Sequence, residues 1–255
     1  MKLLYTLSRV NKPFFGSLLF LAFIYSSFAI AEEHSAHSLS ANVTLTSEYL
    51  YRGVTQTNED PALQGGFDYA HESGFYLGIW ASSLEFNGET SDTPSLEIDV
   101  YGGISGEFNN GIGWDIGALY YIYPDQNEDV EGDYDFLEFY GGLSYEWDHE
   151  YSPSANIGLA YSTDYYGEDG DSYYIHGGFG MSLMGMIDPY VNVGYLDVDG
   201  DKSTPGYDYS HYAIGASKTF DILTFDLSWN DSIDSDDCAD NSVCDAVVFS
   251  VSSSF

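Results

Sequence analysis

Hydrophobic and polar residues alternate one for one along most of the chain. From Leu96 the apolar set is Leu96, Ile98, Val100 and Ile104, with Glu97, Asp99 and Tyr101 between them. Ala155, Ile157, Leu159 and Tyr161 oppose Asn156, Ser162 and Asp164, and Leu223, Phe225, Leu227 and Trp229 oppose Asp226, Ser228 and Asn230. The same rhythm runs through Ile112, Trp114, Ile116 and Ala118 around Asp115, with Leu119 on the polar side, and through Tyr173, Ile175, Phe179 and Met181 around His176 and Ser182. Successive strand side chains point to opposite faces, so a period of two predicts strands with one apolar and one polar face. Reading every such run predicts about twelve strands: 41 to 51, 62 to 71, 74 to 86, 95 to 108, 112 to 123, 134 to 147, 154 to 165, 171 to 183, 187 to 197, 207 to 219, 222 to 231 and 243 to 255.

The connections between these runs alternate in length. His71 to Gly74, Asn109 to Gly111, Trp147 to Pro153, Leu183 to Ile187 and Thr219 to Ile222 are short, whereas Asn87 to Pro94, Pro124 to Asp133, Val198 to Gly206 and Asp231 to Ser242 are mostly longer and acidic. An even number of antiparallel strands with short turns at one end and long loops at the other is the layout of an outer-membrane β-barrel, and it puts both chain ends in the periplasm. After the first residues no apolar run reaches the length of a spanning helix, so any crossing is made by strands, each needing only about 9 to 11 residues. Val247, Phe249, Val251 and Phe255 share the apolar face of the last strand, and a barrel strand ending on Phe resembles the signal read by the barrel-assembly machinery. Tyr49, Tyr51, Tyr123, Trp147 and Trp229 lie near strand ends and are expected to form the interfacial girdles. A soluble lipocalin-type barrel has the same alternation with its apolar face inward. The N-terminal segment, the strand count and Phe255 favour the membrane form.

That N-terminal segment, residues 1 to 31, has a basic start (Lys2, Arg9, Lys12), an apolar run from Phe14 to Ile24 and the small-residue ending Ala29-Ile30-Ala31. It reads as a cleaved secretory signal peptide rather than a retained helical anchor, because no basic stop-transfer cluster follows. The expected organisation is a signal peptide to 31, a short periplasmic tail over 32 to 40 and one barrel domain over 41 to 255. Cleavage leaves Arg52, Lys202 and Lys218 as the basic residues against 41 acidic ones. Such a field repels nucleic acid and anionic substrates and gathers cations. An aromatic content of 17% and the sustained alternation argue against the disorder that this acidity would otherwise suggest.

One stretch carries a resemblance. Ser47, Tyr49, Arg52-Gly53, Gln56-Thr57, Pro61-Ala62, Gln64-Gly65-Gly66-Phe67-Asp68-Tyr69, Gly74-Phe75-Tyr76, Gly78 and Trp80 together resemble the TorF family of porin-like proteins of the Gram-negative outer membrane. The block is specific but short; the remainder matches in pattern and length. The resemblance implies a channel-like barrel and no particular substrate.

Apolar parity assigns Glu48, Arg52, Gln64, Asp68, Glu97, Asp99, Asp115, Glu138, His176, His211 and Asp226 to the bore. A water-filled bore lined mostly by carboxylates favours cations, so passive diffusion of small solutes with cation preference is the expected function. The alternative is a non-conducting surface barrel whose acidic loops bind divalent cations, lipid headgroups or a partner. Arg52, alone among acids, is expected to brace the wall by bridging to a carboxylate such as Glu48 or Asp68, or else to shape a constriction. Cys238 and Cys244, separated by five residues in an exported chain, read as a disulfide across the last outer loop, the alternative being a metal site that lacks further soft ligands nearby. Asp197, Asp199 and Asp201 alternate as weak calcium candidates without the rest of an EF-hand loop, so no cofactor is expected beyond calcium or magnesium held loosely at acidic loops. His34 and His37 need further ligands to grip a transition metal. Nothing links Ser182 to His176 as nucleophile and base, and no catalytic residue is expected.

Overall fold

The computed structural model describes residues 35–85, 94–124, 134–183, 185–200, 205–233 and 245–255. Its strands are β1 (His37–Thr46), the two-residue β2 (Leu50–Tyr51) and β3 (Val54–Thr55), β4 (Ala62–His71), β5 (Phe75–Ser83), β6 (Leu96–Glu107), β7 (Gly113–Ile122), β8 (Phe136–Glu146), β9 (Ser154–Ser162), β10 (Ser172–Gly180), β11 (Asp188–Gly200), β12 (Pro205–Phe220), β13 (Leu223–Ile233) and β14 (Ala246–Ser254). Leaving out β2 and β3, the strands pair antiparallel with their sequence neighbours, and β1 closes the ring against β14, giving a twelve-stranded barrel. The closing seam pairs Asn42 with Ser254 through Thr46 with Ser250, and Ala41 and Phe255 exchange backbone bonds of 3.1 and 2.9 Å. Closure leaves no edge strand in the twelve-stranded wall, which is what a sheet needs in lipid, where no water can satisfy an open edge.

The faces sort as the alternation predicts. Leu39, Leu45, Phe67, Ile116, Leu159, Leu227 and Val247 all point outward, exposed by half or more, while Thr44, Gln64, Glu97, Asp115, Glu138 and Asp226 are buried inside. A continuous exposed apolar belt of this kind marks a membrane surface, and its outward direction is the reverse of a lipocalin-type barrel.

The largest departure from the sequence reading is at the first strand. β1 runs from His37 to Thr46, so His37 to Ser40, expected in the tail, already pair with Ala70, Tyr69 and their neighbours on β4. The chain then leaves the wall and turns inward. Leu50 pairs with Thr55 and Tyr51 with Val54 across a two-residue turn, Arg52-Gly53, in which both residues have positive φ, 50° and 85°. Two successive left-handed residues make the tight primed turn that suits a two-residue hairpin. This hairpin lies in the bore, so its alternation continues that of β1 without belonging to the wall. Tyr49, Tyr51 and Tyr123 are accordingly not girdle residues: Tyr49 and Tyr123 are buried in the interior cluster and Tyr51 packs against it. Trp147 and Trp229 do face outward.

Candidate functional site

The long-loop end of the bore is filled from the first connection, residues 47 to 61. Backbone bonds from Gln56 to the Tyr49 carbonyl (2.7 Å) and from Glu85 to the Gln56 carbonyl (2.9 Å) fix its base. Its tip reaches across the bore, where Ser232 Oγ on β13 donates to the Gly53 carbonyl at 2.9 Å. A Cβ on Gly53 would run into Ser232 and His211, so glycine is required there by space as well as by φ.

Arg52 lies beside that tip. Its Nη2 donates to both oxygens of Glu138 on β8, at 2.6 and 2.7 Å, and the two side chains are 4% and 0% exposed. Tyr121 Oη donates to the same carboxylate at 3.0 Å and receives a bond from Tyr51 Oη at 3.2 Å. The guanidinium sits 4.1 Å from the Tyr174 ring centroid, 4.8 Å from Tyr51 and 5.8 Å from Tyr165. Burial opposes the arginine's charge, but the Glu138 carboxylate and the surrounding phenols hold its pKa above the ordinary range. The partner expected from sequence, Glu48 or Asp68, is therefore replaced by Glu138: the inward turn swings Arg52 away from its neighbours in sequence and toward the far wall. Glu48 remains at the hairpin's base, where burial raises its carboxyl pKa and the Thr55 hydroxyl partly offsets this.

Beneath the hairpin lie the β6 carboxylates. Glu97 accepts from Tyr49 Oη at 3.0 Å and Tyr123 Oη at 3.4 Å; Asp99 is fully buried, and neither of its oxygens has a hydrogen-bond partner among the described residues. Gln64 donates to Ser82 Oγ at 3.3 Å.

Toward the short-turn end the remaining predicted acids are each met by a tyrosine. Tyr76 donates to Asp115 at 2.9 Å, Tyr101 to Asp68, and Tyr190 to Asp226 at 3.0 Å. These rings lie flat against the wall because the residue paired with each across the ladder is a glycine: Gly103 opposite Tyr76, Gly78 opposite Tyr101 and Gly215 opposite Tyr190. Asp68, Tyr101, Asn156, Tyr190 and Asn192 are only half-buried there. His211 Nε2 contacts Tyr174 Oη at 2.9 Å, and the His176 ring stacks on the same tyrosine with centroids 5.4 Å apart.

All the acids assigned to the bore by parity thus face it, but a tyrosine set that was not singled out as their partner meets most of them. The sequence carries only part of the signal, glycines on the polar parity; which tyrosine lies over each glycine is set by the strand register. Asp197 and Asp199 lie exposed at the long-loop end of β11, whereas Asp201, Cys238 and Cys244 lie outside the described residues. Among the described residues no three His, Cys, Asp or Glu side chains gather as a metal site.

A family model described as a bacterial protein of unknown function (Gcw_chp) matches residues 30–255. No curated protein matches the chain. Among solved structures the NanC porin is similar over 86% of this chain and 99% of its own, at 10% identity and a TM-score of 0.54. An outer membrane channel from Pseudomonas putida F1 covers 90% and 98% at 9% identity and 0.49, and LpxR from Salmonella typhimurium 85% and 99% at 10% identity and 0.46. At such identity the likeness to NanC is one of fold.

Proposed function

We propose that this chain, which belongs to the Gcw_chp family of bacterial proteins of unknown function, is a narrow diffusion channel of the bacterial outer membrane, held shut by its own first loop. The observation that carries this reading is the Arg52–Glu138 bond across the interior of a closed barrel whose outer surface is apolar. A barrel that needed only to be solid could fill its interior with apolar side chains, whereas here the bore is lined by carboxylates and phenols and stopped by a separate hairpin. The resemblance to TorF porins and the fold shared with NanC support the same class. Asp68, Asp115 and Asp226 give the open bore a preference for cations over anions, and small neutral solutes pass without selection. The short turns face the periplasm, the acidic loops face outward and gather calcium or magnesium, and the strand ending at Phe255 is the assembly signal.

A second reading is favoured by the burial of Arg52, Glu138, Tyr121 and Tyr174: a barrel sealed at this level is a non-conducting surface protein acting through its acidic loops. Planar-bilayer recording separates the two. The channel reading expects rare, cation-preferring openings of the native barrel and frequent ones in Arg52→Ala and Glu138→Gln. Absence of conductance in both variants, with heat-modifiable migration showing an intact barrel, leaves the surface role; anion preference overturns the electrostatic argument.

A further inference from the structure

On the outside of the barrel, at the short-turn rim, two histidines from adjacent strands face each other. His37, the first residue of β1, and His71, the last of β4, are direct partners in the ladder, with ring centroids 5.1 Å apart and planes inclined by 55°. Each ring is held through Nδ1. His37 Nδ1 lies 2.7 Å from Tyr69 Oη, and His71 Nδ1 lies 2.8 Å from Ser73 Oγ. The frame beneath them is fixed as well: Glu72 N–H donates to the Ala36 carbonyl at 2.9 Å and Gly74 N–H to the His71 carbonyl at 2.9 Å, tying the start of β1 to the turn after β4.

We propose that His37 and His71 bind one divalent transition-metal ion of the Cu2+ or Zn2+ class through their Nε2 atoms. A histidine that ligates a metal does so through one ring nitrogen while the other is held by a hydrogen bond that orients the ring; His37 has Tyr69 Oη in that place, and His71 has Ser73 Oγ within reach of its Nδ1. With metal–nitrogen distances of about 2.0–2.1 Å and a near-tetrahedral angle, two imidazoles on one ion have centroids about 5 Å apart, which is the spacing found. Imidazole suits copper and zinc, whereas the acidic loops offer the oxygen ligands that suit calcium and magnesium. Binding uses the Nε2 lone pair of each neutral ring. The ring proton then resides on Nδ1, donated to Tyr69 Oη in one case and to Ser73 Oγ in the other. In that tautomer the 3.2 Å bond from Ser73 N–H to His71 Nδ1 is given up to water at an exposed rim. Water completes the coordination shell, and the acidity of the whole chain concentrates cations around it. The site does not depend on whether the bore conducts.

The test is Cu2+ titration of the tag-free, detergent-folded barrel carrying His34→Ala, so that no histidine stands third from the amino terminus that cleavage after Ala31 exposes, followed by calorimetry and electron paramagnetic resonance. One tight ion per chain with two nitrogen ligands is expected. His37→Ala and His71→Ala each remove one nitrogen and weaken binding at least tenfold, and Tyr69→Phe weakens it a few-fold by freeing the His37 ring. Both histidines are on the rim, so heat-modifiable migration remains unchanged. Copper bound through oxygen alone, or an affinity indifferent to both alanine variants, overturns the proposal.

Discussion

Arg52 and Glu138 are 86 residues apart in sequence and 2.6 Å apart in space, the arginine on a hairpin inside the bore and the glutamate on its wall. Removing one partner of a buried ion pair strands the other charge, at a cost of about 3 to 5 kcal/mol. Arg52→Ala and Glu138→Gln are each expected to destabilise the seated hairpin on this scale. The double variant is expected to cost far less than the sum of the two, because it strands no charge. A double-mutant cycle in urea, read by tyrosine fluorescence, measures the coupling, and additive effects would show that the two residues act independently.

Gly53→Ala tests the hairpin tip. The substitution meets a left-handed backbone and the side chains of Ser232 and His211 together, so the tip is expected to lift from β13 while the barrel wall stays closed. Bilayer recording should show openings as frequent as in Arg52→Ala. Ser232→Ala, which removes only the bond to the Gly53 carbonyl, should have a smaller effect of the same sign.

Glu48 gives the hairpin a pH dependence of known sign. Its folded pKa is raised by burial, so the stability it contributes is fully present below the unfolded pKa and is lost as pH rises through the folded value. Glu48→Gln removes the titrating charge. The variant is expected to melt higher than the native chain at pH 8 and to match it near pH 4; an equal difference at both values would exclude the burial argument.

Charge selection should divide by depth. Asp68→Asn and Asp226→Asn, at the short-turn end, are expected to move the reversal potential in asymmetric potassium chloride toward zero when the bore is open. Glu97→Gln, under the hairpin and 1% exposed, should alter that potential only in the Arg52→Ala background. Equal effects in both backgrounds would mean that the hairpin does not separate the two levels.

The wall was legible because alternation is a direct record of a two-faced strand. β4 begins and ends where the sequence places it, at Ala62 and His71, and β9, β11 and β12 differ by three residues or fewer at either end. The first connection was misread for a physical reason: Tyr49 and Tyr51 continue the period of β1 because the inward hairpin is itself two short strands. The mark of the turn is Gly53 alone, one residue before Val54, because a tight primed turn takes positive φ and Arg52 is not among the residues that favour it. The partner of Arg52 was beyond reach of local reasoning. Glu48 and Asp68 are near in sequence, but only the closed ring brings β8 opposite the hairpin. For the same reason the bore acids were identifiable by parity while their tyrosine donors, which come from other strands, were not.

The seam between β1 and β14 joins the two ends of the barrel, so its pairing carries the largest loop-closure cost of any in the wall. The hairpin hangs directly from β1, and its anchors, Glu138, Tyr174 and Ser232, come from β8, β10 and β13. These three stand around one space only once the ring has closed. Seating of the hairpin therefore presupposes the β1–β14 seam, so the plug of the bore and the closure of its wall depend on the same set of pairings.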